Sequence, residues 1–155
     1  MVQKLNSMRI LDQHQVPYTV HEFPATVHSA TGVADHVGLP PAMVYKTLVV
    51  LPTRGKPILV MVAGHRELDL KKVAKAVRQK KVHMAPHREA ERLTGLQTGG
   101  ISALALLHKN FPTYLDRPAL ALERILVSAG QRGVNLELPV SDLIKITQAN
   151  IIEAT

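Results

Sequence analysis

The sequence predicts an α+β fold, a single compact domain spanning residues 1–155. Three observations predict it. Runs rich in β-branched residues, such as 47–51 and 58–63, are bounded by Gly and Pro and read as strands. Segments such as 70–79 repeat apolar residues at helical spacing and read as amphipathic helices. The two kinds of segment interleave with no internal repeat, long linker or low-complexity stretch, so nothing divides the chain. Its 155 residues are enough to bury a core. With no Trp, two Phe and three Tyr, that core must be built from Val, Leu, Ile, Ala and Met.

Taken in order, residues 4–14 place Leu5, Met8, Ile10 and Leu11 on the mainly apolar side of a helix that Val16-Pro17 ends. Residues 18–23 alternate as a half-buried strand closed by Pro24. Ser29 or Thr31 is suited to cap a short helix that stops at Gly38. Two apolar strands, 44–51 and 58–63, flank the polar link 52–57 and form a hairpin. Asp69 caps a helix over 70–79, with Leu70, Val73, Ala74 and Val77 as its buried stripe. A short strand over 82–84 and a helix over 87–93 follow. Strands over 114–116, 124–128 and 134–138, a helix over 139–147 and a final strand over 150–152 complete the chain.

The formal charge of +7 favours anionic partners, because neutralising phosphates drives such binding. Aromatics at 3% argue against stacking bases on an aromatic platform. The absence of cysteine removes disulfides, thiolate metal sites and a cysteine nucleophile together. There is no secretory apolar region at the N-terminus and no apolar run of membrane-spanning length, so a cytoplasmic, non-membrane protein is expected. The eight histidines form no HExxH motif, and only His21 and His28 could meet across a turn, so neither a metal nor another cofactor is expected. No GxSxG elbow supports a hydrolase triad.

Three features carry chemistry. Lys46 shares a strand face with Val44, Leu48 and Val50, so it either snorkels to solvent or faces a cavity holding an anion. Lys71, Lys72, Lys75, Arg78, Lys80 and Lys81, joined by Arg88 and Arg92, form either a solvated face or an RNA-binding one. The stretch 94–103 is the most glycine-dense of the chain. There Gly99 and Gly100 would let a ligand approach the backbone beside the Ser102 hydroxyl, or simply make a turn.

Four segments, Val44-Tyr45-Lys46-Thr47-Leu48, residues 67–76, Gly99-Gly100-Ile101-Ser102 and residues 127–133, follow one another in the order and spacing of a known family. The chain resembles the YbaK-type aminoacyl-tRNA deacylases, relatives of the editing domain inserted in bacterial prolyl-tRNA synthetases. The resemblance covers nearly the whole chain and leaves no room for a synthetase catalytic domain. It implies a curved, barrel-like mixed sheet flanked by helices, and a free-standing enzyme that hydrolyses the ester of mischarged tRNA. Cys-tRNA(Pro) or a related small aminoacyl-tRNA is the implied substrate, aminoacylated tRNA the partner, and prolyl-tRNA synthetase a further one.

By the same resemblance Lys46 holds the terminal phosphate or ribose, and Gly99, Gly100, Ile101 and Ser102 form the catalytic loop whose amides face the ester carbonyl. Phe23, Ser29, Thr31, Ser128 and Asn135 then belong to the substrate pocket. An aminoacyl ester is already activated, so orientation and oxyanion stabilisation could carry much of the rate. Where the family loop reads Gly-Ile-Ser-Pro this chain has Ala103, and residues 104–107 are more aliphatic than usual. Asn135 replaces an acidic residue, and Ser29 a larger one. These departures bear on substrate identity more than on reaction class. The rival reading is a non-catalytic module binding a tRNA 3′ end or a nucleotide in the same pocket.

Overall fold

The computed structural model describes residues 3–27 and 29–155. Its strands form two sheets. In the larger, β4 (Val82–Met84), β2 (Tyr45–Pro52), β3 (Ile58–Ala63), β5 (Thr113–Asp116) and β8 (Asn150–Ile152) lie side by side in that order. The hairpin partners β2 and β3 are antiparallel, as are β2 and β4, whereas β5 and β8 join in parallel. The smaller sheet is antiparallel, with β7 (Val134–Pro139) between β1 (Thr19–Glu22) and β6 (Arg124–Ser128). A parallel bridge from Val44 to Leu126 links the two.

The larger sheet is mixed and the two are flanked by helices, but they do not close into the barrel-like surface expected. Closure needs a continuous ladder. Here the chain enters β2 through Pro40, Pro41 and a 3-10 turn at Pro41–Met43, where the prolines lack amide protons to donate. The gap left between the sheets becomes the cavity described below.

β3 is buried along its whole length, which explains why it reads as an unbroken apolar run instead of alternating. Its Leu59, Met61 and Ala63 face the main core, with Tyr45, Val49, Leu115, Ile125 and Leu136. Its Val60 and Val62 face the opposite layer, with Val50, Val73 and Ala74. Helix α3 (Leu70–Ala76) covers that second layer, and α1 (Asn6–Gln13) and α5 (Val140–Thr147) contribute Met8, Leu11, Val140 and Leu143 to the first. Helix α2 (Ala30–Val37) packs Val33 and Ala34 on Val44 and Leu126, over the junction of the sheets. Among the described residues no helix is long and apolar enough to cross a membrane.

Local chemistry sets the helix ends. The Ser29 hydroxyl accepts from the Gly32 amide at 3.0 Å and starts α2, so Ser29 and not Thr31 is its cap. Asp69 caps α3 through the amides of Lys71 and Lys72. The helix expected to reach Gln79 stops three residues earlier, at Ala76. Arg78 turns into the left-handed region at φ 58°, and the Gln79 amide closes back on Ala74 at 2.9 Å. Arg78 therefore does not extend the helix face of Lys71 and Lys75. The helix α4 (His87–Thr94) ends on left-handed Gly95.

Candidate active site

A cavity of about 510 Å³ fills the gap between the sheets, within the usual range for small-ligand sites. One wall is β2, contributing Tyr45, Lys46, Thr47 and Val49. A second wall is the loop after α4, with Thr98, Gly99 and Ile101. Phe23, Val27, Ala30 and Val33 close one side, and Met84, Ala85, His87 and Glu91 the other. Ser128, Arg132 and Asn135 form the floor from the small sheet and its turn. Much of this lining is apolar, and water-poor surroundings strengthen the few polar contacts made there.

The β2 wall follows from register. Lys46 lies opposite Val62, one step from buried Tyr45 and Thr47. Its side chain is exposed while its position lines the cavity, so the strand holds a cation at the mouth. Burial, reinforced by Asp116, pushes the Tyr45 hydroxyl up to about 12, which keeps it a neutral phenol at physiological pH. α2 comes in close because Gly64 has no side chain: a Cβ there would lie 2.2 Å from that of Ala30.

The loop wall is held by side chains. The Thr98 amide donates to Glu91 Oε2 at 2.9 Å, and Arg132 Nε donates to the Thr98 carbonyl at 2.6 Å. The Thr98 hydrogen bond holds the Glu91 carboxyl below the usual glutamate range, with Arg132 and His87 adding smaller contributions. Gly99 adopts φ 92°, open to glycine and costly for other residues. Gly100 lies against the turn after β6, where a Cβ would sit 2.9 Å from the Arg132 amide nitrogen. The Gly100 amide is used within the loop, donating to Gln97 at 2.8 Å. The amides of Gly99, Ile101 and Ser102 donate to no other described residue, although Ile101 and Ser102 are buried. The Thr98 hydroxyl is likewise buried without a partner among the described residues.

The sequence-predicted residues divide. Lys46, Gly99, Ile101, Phe23, Ser128 and Asn135 line this one cavity, although they come from five separate parts of the chain. Gly100 and Ser102 lie behind the wall; the Ser102 hydroxyl accepts from the Ala105 amide at 3.2 Å, opening a 3-10 helix at Leu104–Lys109. Ser29 and Thr31 are exposed and do not line the cavity, because Ser29 is spent on the cap and the α2 face turned inward carries Ala30 and Val33. Lys71, Lys72, Lys75, Arg78, Lys80 and Lys81 are all exposed. Lys72 also donates to the Thr155 carbonyl at 2.7 Å. His21 meets Glu137 at 2.8 Å across the small sheet, and its suggested partner His28 lies outside the described residues.

Sequence reasoning misses Glu91, Thr98, Arg132 and His87 as cavity residues. Arg132 stands within the glycine turn 129–133, but nothing local signals that it reaches Thr98. Glu91 lies in a helix whose sequence draws the eye to its arginines.

Residues 24–146 match the model of the aminoacyl-tRNA editing domain. The chain is 39% identical over 155 residues to a protein of Enterococcus faecalis named "Putative Cys-tRNA(Pro)/Cys-tRNA(Cys) deacylase EbsC", covering 99% of this chain and 94% of that one. It is 32% identical over 96 residues to a proline–tRNA ligase of Acidithiobacillus ferrooxidans, a match covering 62% of this chain and 16% of the ligase. The fold matches the crystal structure of "a putative trans-editing enzyme for prolyl tRNA synthetase", with a TM-score of 0.84, 24% identity and 99% of each chain covered. The split-sheet fold is thus one shared with an editing enzyme, and the chain belongs to the family of aminoacyl-tRNA editing deacylases.

Proposed function

We propose that this protein is a trans-acting editing enzyme that removes a wrongly attached small amino acid from tRNA, with cysteinyl-tRNA(Pro) as the leading substrate. One observation carries the reading: a cation, Lys46, and a glycine loop whose Gly99 and Ile101 amides donate to no other described residue line one cavity of small-ligand size. Lys46 pairs with the ribose-phosphate end of the tRNA. The amides of Gly99 and Ile101 stabilise the negative charge that develops on the ester oxygen; donors fixed in advance do this without reorganisation. The Gly100 amide is committed to Gln97 and takes no part.

The apolar sides formed by Phe23, Val33 and Met84 hold the amino-acid side chain, with Ser128 and Asn135 offering the polar contacts. Asn135 keeps this floor free of an added negative charge. A cysteinyl substrate brings its own nucleophile, the thiol, whose attack on the carbonyl expels the ribose oxygen; water then releases the amino acid. An alanyl substrate needs a water held by the pocket instead. The name of the Enterococcus faecalis relative favours the cysteinyl case, and the match to part of a proline–tRNA ligase favours a link with prolyl-tRNA synthetase.

The test is release of labelled amino acid from Cys-tRNA(Pro), Cys-tRNA(Cys), Ala-tRNA(Pro) and Ser-tRNA, with and without EDTA. Selective, chelator-insensitive turnover of the cysteinyl esters is the expected result. Binding of tRNA with no ester turned over would overturn the reading in favour of a non-catalytic 3′-end binding module.

A further inference from the structure

We infer that Glu91 and Arg132 are positioning residues that clamp Thr98 from two sides and so hold the glycine loop in its working geometry; this rests on the function proposed above. Both backbone polar groups of Thr98 are taken by ionic side chains, the amide by Glu91 at 2.9 Å and the carbonyl by Arg132 at 2.6 Å. Hydrogen bonds to charged groups are roughly twice as strong as neutral ones. The two partners come from different elements, α4 and the turn after β6, so the clamp fixes the loop relative to both.

The next residues explain why the loop needs it. Gly99 at φ 92° and Gly100 have the widest conformational freedom of any residue type, and freedom lost on ordering is a cost to be met. Residue 103, just beyond the loop, is Ala, so no proline ring restricts the chain there. The restraint is applied upstream instead, at Thr98, and continued by the Gly100 amide on Gln97 and the packing of Gly100 on the Arg132 backbone.

Electrostatics separates this role from mere decoration. Glu91 is the sole carboxylate among the described residues lining the cavity. In a site that accepts a phosphate end and a developing oxyanion, a negative charge is adverse. Glu91 is tolerable there because its Oε2 is engaged by the Thr98 amide and because Arg132 lies close by. A side chain that opposes the substrate's charge and yet stands in the wall has its reason in what it holds.

The test combines amide hydrogen exchange of the free, full-length protein with deacylation kinetics on Cys-tRNA(Pro). In Glu91→Ala, exchange at Thr98 should accelerate about 10-fold or more while β3 amides keep their protection. Its kcat should fall about 30-fold with KM within about 2-fold, as expected when a loop loses its alignment and the substrate its orientation. Glu91→Gln, which keeps an acceptor oxygen, should recover most of that rate. The double variant Glu91→Ala with Arg132→Ala should lose little more than the worse single one, since both act on one residue. Unchanged exchange at Thr98, a kcat loss matched by general loss of β3 protection, or full additivity would each overturn the clamp. Exchange is read without substrate: if no ester turns over in the unaltered protein, the proposed function fails while the exchange result still decides the clamp.

Discussion

Two walls of the cavity are built on opposite principles. The β2 wall is backbone ladder: Lys46 and Thr47 are placed by pairing with Val62 and Met61 in a hairpin whose other partners are buried aliphatics. The loop wall has no ladder at all, and long-range side-chain bonds from Glu91 and Arg132 stand in for one. A sheet wall therefore resists local damage, because each residue is held by its neighbours. A clamped loop concentrates its restraint in a few atoms, and single substitutions there should act on catalysis before they act on stability.

Substitutions can break this contrast. The largest effect is expected from Gly100→Ala, whose Cβ would meet the Arg132 backbone at 2.9 Å and push the loop off the turn. A misplacement of the loop by about 1 Å costs about 100-fold in rate, measured as kcat for deacylation with a nearly unchanged Tm. Lys46→Ala, on the sheet wall, should leave the fold intact and lower kcat/KM about 10- to 100-fold, as for removal of one hydrogen bond to a charged partner. Lys46→Met losing no more than about 2-fold would show that the cation only snorkels to solvent.

Stability effects come next. Gly64→Ala places a methyl 2.2 Å from the Ala30 Cβ and should cost about 1–3 kcal/mol in denaturant unfolding, with α2 displaced from the cavity side. Ser29→Ala removes the α2 cap and should cost about 1 kcal/mol with activity largely kept, which separates the capping role from a pocket role. The smallest effect belongs to the exposed lysines. Paired Lys71→Gln and Lys75→Gln should weaken tRNA binding evenly across sequences and flatten its salt dependence by about 1 for each phosphate no longer neutralised. A salt slope that does not change would make that helix face plain solvated surface.

Acid sharpens the contrast further. The Glu91 carboxyl is held below the ordinary glutamate range by Thr98, so the contribution of its charged form is fully present above the unfolded-state value. It is lost as pH falls through the lowered folded-state value. Exchange protection at Thr98 should therefore persist at neutral pH and fade only in acid. Amides of β3 should show no such step.

Much of the site was legible because its chemistry is local. The strand bearing Lys46, the paired glycines at 99 and 100, and the alternation that turns Asn135 away from Leu136 all follow from residue type and period. Alternation alone sets Asn135 opposite the aliphatics without saying what that face meets. In the fold it looks into the cavity, where Asn135 is buried beside Ser128, its partner across the ladder. Ser29 and Thr31 show the limit. Both are small, polar and near the right segment, but a helix turn separates what caps from what faces inward, and only the packing of α2 on Gly64 decided that Ala30 and Val33 would line the wall.

By itself, then, the sequence determined the order of elements, the apolar run that becomes β3, the Asp69 cap of α3 and the chemical types gathered for the site, since these depend on periodicity and on neighbours a few residues apart. Tertiary structure alone decided that the sheets stay split and that Glu91 and Arg132 meet at Thr98. The split sheets and the meeting at Thr98 turn on the closeness of groups far apart in the chain, which no local pattern encodes and which only the packing of the whole chain fixes.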